Sequence, residues 1–130
     1  MKKDIIKLTI ASKPNYISVV RLTSSAIANN IGLNIDDIED IKVSIAEACI
    51  NALDKADEIN IQFQIEEDKL IMKVDNVSPC KDDEIDLNKE IELGILIIES
   101  LMDEVNFSEE GVEMIKYTEL LVEIMKSARP

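Results

Sequence analysis

Residues 59–74 constrain the fold more than any other stretch. Ile59, Ile61, Phe63 and Ile65 alternate without exception with polar residues, Glu66-Glu67-Asp68 turns the chain, and Leu70, Met72 and Val74 return. A period of two puts those apolar side chains on one face of a β-hairpin. A sheet with one apolar face needs another apolar layer against it, so the rest of the chain has to supply helices or a second sheet.

The remainder supplies helices. Ile6, Leu8 and Ile10 alternate with Lys7 and Thr9, which predicts a strand over residues 4–11, broken by Ser12-Lys13-Pro14. Tyr16, Val19, Val20, Thr23 and Ile27 then recur at helical spacing through residues 15–30, with Gly32 placed as the stop. Asn34 is a good N-cap, and Asp36, Asp37 and Glu39 suit the positive end of a central helix running to about Asp54. Its buried stripe is Ile38, Ile41, Ile45, Ala48 and Ala52. Residues 76–90 read as a polar loop, followed by a helical period through Ile91, Ile95, Ile98, Met102 and Val105. A last hairpin spans Val105 to Thr118 around Glu109-Glu110-Gly111, and the amphipathic tail Glu119–Ser127 reads as a short helix rather than continued strand. The order gives a single domain over residues 1–130, an α/β (α+β) two-layer sandwich with a mostly antiparallel sheet and helices on one face.

Composition narrows the chemistry. Aromatic residues are only 3%, so the core is aliphatic, and the absence of His removes His-based triads and phosphohistidine chemistry. Cys49 and Cys80 lack metal-type spacing and fit a reducing cytoplasm better than a disulfide framework. No apolar run approaches a membrane span and no secretory signal is expected at the N-terminus. A net charge of −13 repels phosphates, which argues against nucleic acid as a direct ligand. Most of that charge lies in residues 66–130, which carry 18 acidic and 7 basic groups. Such a surface keeps a protein soluble, and it also attracts a basic protein partner.

Within the central helix, Glu47 and Asn51 are four residues apart and project from one patch beside the buried stripe. A solvated polar helix face carries the same spacing. The pair also suits Mg-assisted phosphoryl transfer, because an Asn carbonyl can ligate a hard cation and a Glu can accept a proton.

Taken with the element order, Glu47-x-x-x-Asn51 resembles the GHKL-type, histidine-kinase-like ATPase fold. More narrowly, the chain looks like the bacterial anti-sigma factor serine-protein kinases, which control sporulation and general stress sigma factors. The resemblance is carried by Val20-Arg21-Leu22-Thr23, Ile38-Glu39-Asp40-Ile41-Lys42, Ser44-x-x-Glu47-Ala48-x-x-Asn51-Ala52, Asp75, and Gly94-Ile95-x-x-Ile98-Glu99-x-Leu101-Met102-Asp103-Glu104-Val105. It implies a cytoplasmic regulator that binds a sigma factor and is released by an anti-anti-sigma (STAS-type) protein, which it phosphorylates on serine with Mg-ATP. It implies further that Glu47 is the general base, Asn51 the Mg ligand and Asp75 the acceptor for the adenine amino group. Gly94 would belong to the second glycine motif, and Arg21 would grip both protein partners from the first helix. Family members dimerise through their sheets, so a homodimer is implied as well.

The chain departs from the family pattern in its glycines. Asp-x-Gly-x-Gly is replaced by Asp75-Asn76-Val77-Ser78-Pro79, and the second Gly-x-Gly by Glu92-Leu93-Gly94. A branched side chain, a proline and a carboxylate there remove bare backbone and amide donors from phosphates. The intervening loop, the family's ATP lid, is short and acidic. These departures predict weak Mg-ATP affinity, nearer 1 mM than 1 μM, about a 4 kcal/mol difference. They keep open the alternative of a non-catalytic GHKL-fold binding module without nucleotide, and a third reading, an unrelated α/β sensor domain, stands beside both.

Overall fold

The computed structural model describes residues 4–79 and 85–118. Strand β1 (Asp4–Ala11) leads through a 3₁₀ turn at Pro14–Tyr16 into helix α1 (Ile17–Asn30) and helix α2 (Ile35–Ala52). Strands β2 (Glu58–Ile65) and β3 (Lys69–Asp75) follow, then helix α3 (Ile85–Leu101) and strands β4 (Glu104–Phe107) and β5 (Gly111–Tyr117). The sheet is antiparallel throughout, in the order β1-β2-β3-β5-β4.

Register explains why one face is dry. Ile61 pairs with Val74 and Phe63 with Met72; across the next seam Met72 meets Met114 and Val74 meets Val112. These side chains are buried, and they pack with Val20, Ile41, Ile45 and Ile98 of the three helices in one aliphatic core. Phe63 is the only aromatic fully inside it. Cys49 lies within the same core, where burial pushes its thiol up to about 12, so it is a packing residue and not a nucleophile.

The helix ends follow their sequence signals. Gly32 takes a positive φ of 86°, its N–H donates to the Asn29 carbonyl and the Leu33 N–H to that of Ala28. That is a Schellman stop, where glycine avoids the Cβ penalty of the left-handed region. Asn34 caps α2 by accepting from the Asp37 N–H at 2.8 Å.

Both ends of α3 differ from the sequence reading: the helical period read through Val105 stops at Leu101, and Val105 stands in β4. The helix starts at Ile85, inside the stretch 76–90 that the sequence predicts as loop: Leu87, Lys89 and Glu90 are good helix formers, and exposed polar residues such as Lys89 and Glu90 suit a helix as readily as a loop. Cys80 and the tail Glu119–Ser127 lie outside the described residues. Among the described residues no helix is long and apolar enough to cross a membrane.

Candidate functional site

The last turns of α2 and the first half of α3 enclose a cleft of about 430 Å³, with Glu47, Asn51, Lys55, Glu90, Ile91 and Gly94 among its walls. Glu47 is half-buried beside α3. A side chain at Gly94 would bring its Cβ to 2.8 Å from Glu47 Oε1, so the glycine is what lets the two helices approach at the carboxylate. Glu47, Asn51 and Gly94 are thus brought together; the spacing of four predicts a shared patch for the first two, and Gly94 joins them from the facing helix.

Asn51 is 7% exposed, and both ends of its amide are hydrogen-bonded. Its Nδ2 donates to the Ser78 carbonyl at 3.0 Å, while its Oδ1 accepts from the Ser78 N–H at 3.1 Å and from Lys55 Nζ at 2.8 Å. The paired contacts with the N–H and C=O of one residue fix which way the amide points. Val77, next to this residue, is 2% exposed and fills the place where the family keeps a glycine.

Asp75 is not part of this cleft. Val74 points into the core, so the period of two turns Asp75 to the opposite, open face of the sheet, where it is exposed beside Lys73, Glu110 and Glu113 in a separate groove of about 510 Å³. Its placement therefore gives no support to an adenine contact shared with Asn51. Asn76 and Asp54 are the two non-glycine residues with positive φ among those described, at 65° and 64°, and Asp54 is among the cleft's walls. Glu92 is exposed and is not among the cleft's walls; the carboxylates there belong to Glu47, Asp54 and Glu90.

Arg21 lies elsewhere, on the outer side of the helical layer. With Ser18, Leu22, Glu39, Lys42 and Val43 it lines a groove of about 500 Å³ between α1 and α2. Leu22 is 70% exposed there and Val43 44%, with Val19 and Tyr16 also exposed on the same helix and the turn before it.

Sequence reasoning missed Lys55 and Ser78. Lys55 stands four residues after Asn51, a spacing that is visible, but it lies past the helix end and returns only through the left-handed turn at Asp54. Ser78 contributes backbone atoms, which leave no mark in sequence.

The resemblance drawn from the sequence implies Mg-ATP. A carbonyl oxygen has two lone pairs, and both on Asn51 Oδ1 already face donors, one of them a cation. Magnesium would need one of them at roughly 2.1 Å. As the side chain stands, Asn51 does not fit the metal.

Comparison with known proteins is consistent with this architecture. Residues 10–116 match the family model described as the histidine kinase-like ATPase domain. The serine-protein kinase RsbW of Staphylococcus aureus, in strains JH9, Newman and JH1, is 36% identical, and the alignment covers 89% of this chain and 88% of the relative.

Proposed function

The chain belongs to the histidine kinase-like ATPase family, and from that premise we propose that it is an anti-sigma regulator of the serine-protein kinase type. It holds a sigma factor on its helical layer and is released when an anti-anti-sigma protein of the STAS type competes. The observation that carries this reading is the groove between α1 and α2. It places one arginine among exposed Leu22 and Val43, an apolar floor with a planar cation at its rim. Arginine pairs with carboxylates in two parallel bonds, and such residues are frequent interface hot spots. A homodimer paired through the open sheet faces leaves both helical layers free to embrace one sigma factor in the cytoplasm.

Titration of the organism's own alternative sigma factors against wild type and Arg21→Ala tests the reading. The variant is expected to lose about 2 kcal/mol, near 30-fold in affinity, with its melting temperature unchanged within a degree or two. Wild-type binding to none of those sigma factors overturns the anti-sigma role, and undiminished binding by the variant removes Arg21 from the interface.

Serine phosphorylation of the anti-anti-sigma partner is a second reading, favoured by Glu47. Its carboxylate is half-buried at the cleft and open to a proton from a partner hydroxyl. The magnesium ion has no matching place at Asn51, so the support for this reading ends at the base.

A further inference from the structure

The disagreement at Asn51 has a specific cause, the Lys55 ammonium. Helix α2 ends at Ala52, Leu53 turns extended, and Asp54 takes φ +64°, which folds Lys55 back over the last helical turn. Its Nζ then lies 2.8 Å from Asn51 Oδ1. The Ser78 backbone fixes the amide from the other side, so the oxygen cannot flip away from the ammonium without losing two hydrogen bonds. A cation is well placed here for a second reason, since the C-terminal end of a helix carries negative partial charge. Around it the cleft walls hold the carboxylates of Glu47, Asp54 and Glu90.

We propose that Lys55 is a tethered cation that takes the place of the divalent ion at Asn51, so that binding of a nucleoside triphosphate in this cleft does not depend on magnesium. The ammonium fills the lone pair a metal would use, supplies positive charge to the same spot, and repels a second cation from it. This rests on membership of the ATPase family and not on the sigma-factor reading. A wild type that binds no sigma factor overturns that reading and leaves the magnesium result as it is.

Calorimetric titration of ATP in magnesium and in EDTA, on wild type, Lys55→Met and Lys55→Arg, decides it. Wild type and Lys55→Arg are expected to show the same affinity in both buffers to within about threefold, and a wild type that binds ATP in neither buffer overturns the proposal. Lys55→Met is expected to bind at least about tenfold more tightly with magnesium, because Asn51 Oδ1 is freed for the ion. Lys55→Gln, which is neutral but keeps a donor, repeats the measurement if melting shows that Met disturbs the turn. A wild type that binds ATP tenfold more tightly with magnesium overturns the proposal. So does a Lys55→Met protein with no magnesium dependence, including one that binds no ATP at all.

Discussion

Helix α2 has a lysine ammonium at each end, and the two are held in opposite ways. Near its N-terminus Lys116 reaches in from β5. Its Nζ lies 3.6 Å from Asp37 Oδ1 and 3.4 Å from Asp40 Oδ2, and donates to the Leu101 carbonyl at the end of α3 at 2.8 Å. That side chain is 9% exposed. Just past the C-terminus Lys55 is exposed and meets Asn51 in the last turn of the helix. The first lysine joins a strand and two helices inside the protein, where a charge persists only if every neighbour compensates it. The second is exposed at the wall of a cleft. One ammonium therefore belongs to the fold and the other to the site, and substitution separates them.

The largest effect is expected at the buried end. Lys116→Met should destabilise the protein by about 2 kcal/mol, measured by urea unfolding, because two carboxylates and a carbonyl lose their shared donor. The value stays below that of a sealed ion pair since Asp37 and Asp40 side chains are 22% and 32% exposed and can hydrate. The loss should also depend on pH. Burial holds the Asp37 carboxyl above its ordinary 3.8, with the Lys116 charge acting against that shift. Without the ammonium the carboxyl rises further. A carboxyl whose folded pKa exceeds its unfolded one makes stability fall as pH climbs from 3.8 through the folded value. The Lys116→Met deficit is thus expected to be larger at neutral pH than near pH 4. An equal deficit at both would assign the loss to packing instead of charge.

Much of this contrast could be read in sequence, and the unread part has physical reasons. The hairpin was legible because a period of two has no competing interpretation over Ile59–Ile65, and α2 because Asn34 and its acidic first turn mark a start. Glu47 and Asn51 were legible as one patch because side chains at i and i+4 share a surface, whereas Gly94 on the facing helix was reached only through the family resemblance. The same strand parity that sends Val74 inward also sends Asp75 outward, so its separation from Asn51 was available to a stricter count. Lys116 was not legible at all. It sits on the inward face of β5 opposite Leu70, and only the crossing of α2 and α3 above it supplies acceptors. The start of α3 was hidden by its polarity, and Ser78 by acting through its backbone.

A smaller effect is expected at Gly94, midway between fold and site. Gly94→Ala adds a Cβ at 2.8 Å from Glu47 Oε1, the free end of a flexible side chain that can swing aside. Alanine in a helix interior is favoured over glycine by about 0.8–1 kcal/mol, which opposes the cost of moving the carboxylate. Thermal unfolding should therefore show a change within about 1 kcal/mol, towards higher stability if either. A larger loss would mean that the Glu47–Gly94 contact belongs to the core, and the cleft would no longer count as a region apart.

The smallest effect is expected at the exposed end, and it is the sharpest test of the comparison. Lys55→Met removes the hydrogen bond to Asn51 Oδ1, among the contacts of Lys55, but leaves both bonds between that amide and the Ser78 backbone. Asn51 keeps its orientation, and the vacated lone pair faces a cleft that water can enter. An ammonium near a helix C-terminus is worth about 0.3–1 kcal/mol at low ionic strength and less in salt. The ordering of a long exposed side chain offsets part of that. Urea unfolding of Lys55→Met should therefore lie within about 0.5 kcal/mol of wild type, with the difference shrinking as salt is raised. A loss as large as that of Lys116→Met would make Lys55 a second structural bolt. Near-neutral stability would mean the lysine is retained in the cleft for something other than folding, which the magnesium titration then addresses directly.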